Sequence, residues 1–408
     1  MKVKYIVLAV ATVSAPLAQA AGFYLKEQSI VSQGVAFAGA AARQDAASSI
    51  YFNPAGIAGM TSQIEGGAHL LIPDQEVTGT AALAGLSTAT QEPLDNSLIP
   101  NFYYTKPIGE GVFGFGISAP FGSKNEYSTD FIGALDSYYN KLKTVDYSFA
   151  YGRAAGENTR LGAALVYQTA DIKQSKRLSP LSTSTATLEG DSSAIGLTLG
   201  VQTDLENGGT IGVAWKKAID QDIKGTNTIS ATIPGVITAG TYNASGTLKL
   251  PSMLSVSLNT PISDTTNLLV DITRYDWSRY DKLDVTTNFG GVLSTSSSPQ
   301  NYKDTTSYAV GLEHTYGNGY VARAGVHFDP TPTNDTDRSF STPDGDRTWL
   351  AFGVSKTTDT GLTWDFAYTR IQVEDSTLNR AITGVGTASA TAESSFNIIS
   401  IGVRVPLD

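Results

Sequence analysis

The sequence predicts an all-β fold, a 14-stranded antiparallel transmembrane β-barrel. Three observations predict it: an export signal at the start, apolar residues that recur with a period of two, and connections that alternate between short and long. No stretch after the N-terminus approaches the ~18 consecutive apolar residues of a membrane helix, so a helical bundle is excluded. Gly, Thr, Ser and Tyr are abundant while helix formers are dilute.

The N-terminal signal comes first. Lys2 and Lys4 precede an apolar run from Tyr5 to Val13, followed by Ala18-Gln19-Ala20, a small-x-small cleavage site. Residues 1–20 therefore read as a secretory signal peptide. The apolar run is about half the ~20 residues a spanning anchor needs. Cleavage removes two of the 28 basic residues and leaves 26 against 38 acidic ones. Such acidity argues against nucleic acid or an anionic surface as the main partner. There is no cysteine, so an exported chain of this length relies on hydrogen bonding and packing rather than disulfides or thiolate metal sites.

From Thr61 onward the chain alternates apolar with small or polar residues, the pattern of a strand with two unlike faces. Ile399, Ile401, Val403, Val405 and Leu407 alternate with Ser400, Gly402, Arg404 and Pro406. Leu362, Trp364, Phe366 and Tyr368 alternate with Thr363, Asp365, Ala367 and Thr369. The strands fall at 63–72, 98–106, 111–119, 143–151, 159–178, 187–203, 209–224, 245–260, 267–288, 305–315, 320–329, 346–356, 361–374 and 394–407. Between them lie short turns at 107–110, 154–158, 204–208, 261–266, 316–319 and 357–360. Seven longer loops intervene, near 73–97, 120–142, 179–186, 225–244, 289–304, 330–345 and 375–393.

An even strand count with turns at one end and loops at the other is the layout of outer-membrane barrels. Lipid supplies no hydrogen-bond partner for the backbone, and a closed antiparallel barrel supplies every one without leaving an edge. Trp215, Trp277, Trp349 and Trp364 are expected in the interfacial girdle. A soluble β-sandwich also alternates, yet has no reason to place its long loops at every second connection. Residues 62–408 are thus the barrel. Residues 21–61 are different: Ala- and Gly-rich text, helical over Gly34 to Ala42, then the turn Asn53-Pro54-Ala55-Gly56. Composition leaves open a periplasmic tail or a plug in the lumen. A barrel of this size does enclose space that inward side chains alone do not fill.

The residues here carry a resemblance. Ala21-Gly22-Phe23-Tyr24-Leu25-Lys26-Glu27, Ala36-Phe37-Ala38-Gly39 and Asn53-Pro54-Ala55 resemble the N-terminal hatch of the FadL family of outer-membrane transporters of hydrophobic compounds. Matches continue at Pro120-Phe121-Gly122, Asp276-Trp277-Ser278, Tyr302-Lys303-Asp304 and Pro343-Asp344-Gly345-Asp346-Arg347. The resemblance covers essentially the whole mature chain. It implies a 14-stranded barrel with an N-terminal hatch (plug) inside the lumen, and passive uptake of long-chain fatty acids or similar hydrophobic small molecules. The ligand would leave sideways into the outer-membrane lipids at a kink in the third strand. It also implies that Asn53, Pro54 and Ala55 sit beside that kink and couple hatch to wall, and that Phe23 approaches the ligand. The bare residues allow a simple turn and a packing aromatic instead.

Gly114, Gly116 and Pro120 make the third strand a credible place for a lateral opening, since Gly and Pro weaken a ladder. A fatty acid would need a cation for its carboxylate, and Lys173, Lys176, Arg177 and Lys303 are candidates near strand ends. Val35, Arg43-Gln44 and the terminal Asp408 depart from the family pattern. His69, His314 and His327 have neither nucleophile-elbow nor metal-ligand spacing, so no enzyme, metal or cofactor is expected, and they read as lumen or rim residues. Asp271, Glu313, Arg323, Asp365 and Arg404 occupy inward positions and are expected to neutralise one another or contact the hatch. The expected product is a monomer in the Gram-negative outer membrane. Open alternatives are an aromatic-hydrocarbon channel of the same family, a general porin and a surface receptor.

Overall fold

The computed structural model describes residues 22–407; the expected signal peptide and Asp408 lie outside them. Among the described residues, twenty strand segments form one antiparallel sheet that closes on itself. They make fourteen passes. Eight are single strands: β1 (Gln63–Gly79), β2 (Ser97–Ile108), β5 (Tyr139–Ala154), β6 (Thr159–Ser179), β7 (Ser182–Asp204), β16 (Tyr320–Asp329), β17 (Arg347–Thr357) and β20 (Gly386–Pro406). Six are broken in two: β3 (Gly111–Ser118) with β4 (Gly122–Glu126), β8 (Thr210–Lys216) with β9 (Asp220–Ile229), β10 (Gly240–Lys249) with β11 (Met253–Ser263), β12 (Thr266–Tyr275) with β13 (Lys282–Phe289), β14 (Val292–Pro299) with β15 (Thr305–Thr315), and β18 (Thr363–Val373) with β19 (Ser376–Ile382). Closure is made by β1 against β20, in register from Gln63 opposite Pro406 to Gly79 opposite Ala390.

The period of two decides which side chains face out. On β17, Leu350, Phe352 and Val354 are exposed while Trp349, Ala351 and Ser355 are buried. Trp215 and Trp364 also face outward. The girdle expectation fails for the other two tryptophans. Trp349 lies on the inward phase of its strand, and Trp277 falls in the break between β12 and β13, where it turns into the interior at 1% exposure. The expected continuous ninth strand is therefore two.

Residues 22–62 lie against the inward faces of passes all around the barrel. Short helices at Ile30–Gln33 and Ser49–Phe52 and turns at Ala40–Ala42 and Pro54–Ile57 carry most of the contacts. The wall makes room with glycine. An added Cβ on Gly353 would lie 2.7 Å from the Gly34 Cα, and Cβ atoms on Gly162, Gly212 and Gly325 would strike the backbone of Ala55, Ala41 and Val35. Charged wall residues fasten the segment at the short-turn end. Arg43 donates to Glu313 at 3.1 Å, Arg323 donates to the same carboxylate at 2.6 Å, and Arg404 donates to Asp365 at 2.8 Å and to the Asp45 carbonyl at 3.0 Å. At the long-loop end an apolar cap of Val77, Phe131, Phe340 and Leu378 closes over the barrel.

Candidate functional site

The third pass is interrupted at Ala119-Pro120-Phe121, and the interruption is filled by the N-terminal segment. Proline cannot donate to a ladder. Here the chain turns inward instead: Leu25 N–H donates to the Pro120 carbonyl at 2.7 Å, Gly122 N–H donates to the Phe23 carbonyl at 2.9 Å, and Tyr24 pairs with Phe121. The Gln28 amide satisfies Ala119 as a strand would, donating to its carbonyl at 2.9 Å and accepting from its N–H at 3.0 Å.

This diversion opens the wall. β2 pairs with β3 only from Phe102 opposite Ile117 to Ile108 opposite Gly111, while β4 pairs with β5 alone. Residues Ser97 to Asn101 of β2 consequently have a ladder partner in β1 and none on the other side. The gap ends above, where Glu126 N–H donates to the Pro93 carbonyl at 2.9 Å and Lys124 pairs with Asp95 at 2.7 Å. It is a window with a floor and a lintel.

Behind the window lies an aromatic nest. Phe23 sits with its ring centroid 4.9 Å from Trp277, 5.5 Å from Tyr280 and 6.1 Å from Phe121. Gly22 is held beside it, its N–H donating to Asp344 at 2.9 Å. Two cavities adjoin the nest. One is lined by Ile50, Tyr51, Pro120, Phe121, Asp146 and Lys216 among others, the second by Tyr24, Lys26, Phe52, Lys216, Met253 and Tyr275. Their free volumes are only about 40 and 20 Å³, so in this state the protein's own side chains fill the site.

Lys216 borders both cavities. Its Nζ lies 3.0 Å from the Tyr51 ring centroid, and no carboxylate among the described residues comes within 4.0 Å of it. An ammonium over an aromatic face is held without being neutralised, and stays available to an anion. The Tyr51 hydroxyl in turn donates to that of Tyr24 at 3.0 Å.

The residues singled out from sequence are placed as follows. Phe23 is in the nest and Pro120 is in the interruption. Gly114 and Gly116 lie below the window, in the paired part of β3, where added Cβ atoms would meet Ile50 at 2.7 Å and Tyr103 at 2.8 Å. Asn53-Pro54-Ala55 does couple segment to wall, but away from the kink. The Asn53 amide donates to the carbonyls of Ala41, Val201 and Val213 at 2.7, 3.1 and 3.4 Å, and its oxygen accepts from Ala55 N–H at 3.0 Å. Pro54 rests over Gly152, whereas Phe121 bonds Thr144 of the same strand, eight residues and about 26 Å away. The expectation that this triplet sits beside the kink is corrected: glycines on β5, β6 and β7 are what admit it.

The four cations do not converge. Lys173 pairs with Glu189, and Arg177 fastens its own hairpin through the Ser182 and Pro180 carbonyls at 2.7 and 3.1 Å. Lys176 lies on that same hairpin, and Lys303 is exposed near the break at 300–304. Lys216, Lys26 and Asp146 were missed. A signal for Lys216 did exist, since the period of two places it on the face of Gly212 and Ala214, opposite Trp215. The histidines are lumen or rim groups: His69 contacts Gln33, His327 contacts Lys26 at 3.1 Å, and His314 contacts Thr266 at 2.7 Å.

A family model described as outer membrane protein transport protein (OMPP1/FadL/TodX) matches residues 10–406. The chain belongs to this OMPP1/FadL/TodX family. Its relatives include the long-chain fatty acid transport protein of Escherichia coli K12, 26% identical over 391 residues, with 85% of this chain and 86% of that protein covered. Outer membrane protein P1 of Haemophilus influenzae is 25% identical, with 86% of each covered. Among solved structures, a FadL homologue from Pseudomonas aeruginosa shares the fold at a TM-score of 0.85 with 21% identity, covering 95% of this chain and all of the other. The toluene transporter TodX of Pseudomonas putida has a TM-score of 0.71 with 14% identity, covering 96% of this chain and 99% of the other. As a family member with a fourteen-pass barrel, the protein is an outer-membrane transport protein.

Proposed function

We propose that this protein takes up long-chain fatty acids or similar hydrophobic compounds by passive diffusion, releasing them sideways through the window between β2 and β4 into the outer leaflet. The observation that carries this reading is the missing ladder opposite Ser97 to Asn101, directly in front of an apolar, aromatic interior. A lipid-soluble ligand needs no aqueous path to the periplasm once the wall opens at membrane depth. The segment 22–62 serves as the hatch that blocks the axial route, and ligand enters by displacing packed groups such as Phe23 and Tyr24. The protein works as a monomer bordered by lipid.

An acid is favoured over an aromatic hydrocarbon by Lys216, a cation at the junction of the two cavities with no carboxylate among the described residues within 4.0 Å. A charge-assisted hydrogen bond from it to a carboxylate is worth about 1.5–3 kcal/mol. A hydrocarbon would leave it without a hydrogen-bonded anion.

The test is to close the window. Ala119→Val with Pro120→Thr restores a strand-compatible third pass. Cells carrying it should bind labelled oleate and fail to accumulate it, and undiminished oleate uptake refutes lateral release. Toluene uptake that exceeds oleate uptake in the native protein would assign it to hydrocarbons, and steady ion conductance in a planar bilayer would assign it to porins.

A further inference from the structure

The larger of the two cavities beside the aromatic nest carries more polar chemistry than a chain with a single acid group uses. Lys216 stands on one side. Asp146 and Ser148, two positions apart on β5 and on one face, line the same space. Asp146 is 7% exposed and is held in place: Gln168 Nε2 donates to its Oδ1 at 2.7 Å, and Gln221 Nε2 donates to the Gln168 oxygen at 3.0 Å. Gln221 is wholly buried and its own oxygen has no partner among the described residues.

This relay has a direction. Each amide spends one of its two donors on the next group, and the relay ends on the Asp146 carboxylate, an acceptor. Asp146 Oδ2 receives no hydrogen bond among the described residues, and neither Lys216 nor any other cation comes within 4.0 Å of the carboxylate. A hydrocarbon would leave Asp146 Oδ2 without a donor and Lys216 without a hydrogen-bonded carboxylate, which costs affinity. A plain carboxylate satisfies Lys216 and then meets Asp146 as a like charge. The chemical group that complements Asp146 is a donor.

Resting on the fatty-acid reading above, we propose that the site selects acyl chains that carry a hydrogen-bond donor in addition to the acid: Lys216 takes the carboxylate, and Asp146, oriented by Gln168, accepts from a hydroxyl on the chain. Asp146 is thereby the residue that discriminates hydroxylated from plain acids. The same pairing rule makes sites built to hydrogen-bond a hydroxyl reject analogues that lack it.

The test uses the full-length protein in lipid nanodiscs, with displacement of a fluorescent fatty acid by octadecanoic acid and by hydroxyoctadecanoic acids that differ in hydroxyl position. At least one hydroxylated isomer should bind about tenfold or more tightly than the parent acid. Asp146→Ala should reduce that preference to within about twofold, and Asp146→Asn, which keeps the Gln168 contact and removes the charge, should tighten binding of the parent acid. Lys216→Met should weaken both acids together and leave their ratio intact. The proposal is overturned if no hydroxylated isomer outbinds the parent, or if the preference survives Asp146→Ala. Parent acid binding as well as every isomer removes this proposal alone. Toluene binding with no displacement by any acid removes the fatty-acid reading beneath it.

Discussion

Replacing Asn53 with alanine should release the N-terminal segment without unfolding the barrel. The side chain is wholly buried, and of its carbonyl partners Ala41 also accepts from Gln202 at 2.9 Å. Its amide nitrogen faces three carbonyls, Ala41, Val201 and Val213, of which the last two belong to β7 and β8. Two N–H donors serve these three acceptors, and two hydrogen bonds at about 1 kcal/mol each give about 2 kcal/mol. The Oδ1 atom accepts from Ala55 N–H at 3.0 Å, and stranding that buried donor adds about 1 kcal/mol. The total of about 3 kcal/mol corresponds to about a hundredfold in the equilibrium for local opening. Hydrogen exchange read by mass spectrometry on the reconstituted protein measures it. Amides of residues 40–60 should exchange about a hundredfold faster in Asn53→Ala, while those of β16 and β17 stay unchanged. Asn53→Asp should cost more, because it turns a carboxylate oxygen toward the same carbonyls. Exchange within twofold of native, or parallel acceleration in β16 and β17, would refute the assignment of Asn53 as the clasp.

Three further outcomes are expected. Lys216→Met should lower affinity for long-chain acids by about tenfold or more, from the lost charge-assisted contact, while toluene binding measured in the same nanodiscs holds. Gly200→Val should unseat the segment, because a Cβ there collides with Asn53 Oδ1; planar-bilayer recordings should show steady conductance in the variant and little in the native protein. Burial pushes the Glu27 carboxyl up from its usual range, so the docked segment keeps a proton that a released one gives up. Docking should therefore weaken as pH rises from the ordinary glutamate range of about 4.3 toward neutrality. Exchange of residues 22–30, corrected for intrinsic rates, should rise across that window and flatten in Glu27→Gln.

The barrel was legible because its pattern is local. A period of two needs only neighbouring residues, and the alternation of short and long connections needs only counting. Both gave fourteen passes, and Asp271, Glu313, Arg323, Asp365 and Arg404 occupy the inward positions expected of them. Trp277 and Trp349 were misplaced for different reasons. On β17 the alternation of Leu350, Phe352 and Val354 with Ala351, Gly353 and Ser355 already puts Trp349 on the inward phase, and the girdle expectation followed residue type instead of that phase. Trp277 lies where the strand pattern continues on paper but the chain breaks. The breaks at 217–219, 250–252, 276–281 and 300–304 occur on four neighbouring passes, a coincidence visible only once those passes are side by side.

The site divides along the same line. Pro120 marked the interruption because a residue without an N–H disturbs any ladder. What fills the gap, the strip from Phe23 to Leu25, is about a hundred residues away in sequence and carries no complementary pattern. The Asn53-Pro54-Ala55 turn was legible as a turn, but its seat depends on Gly152, Gly162 and Gly200, one on each of three strands.

By itself, then, the sequence determined a barrel, its strand number, the ends that carry turns and loops, and the chemistry of each face, because alternation and backbone hydrogen-bond closure are properties of successive residues. Only the tertiary structure decided where the wall opens and which charges border the cavities behind it. A window is the absence of pairing between two strands, and a pocket cation is defined by the carboxylates that do not reach it; both depend on distances between segments that sequence order leaves free.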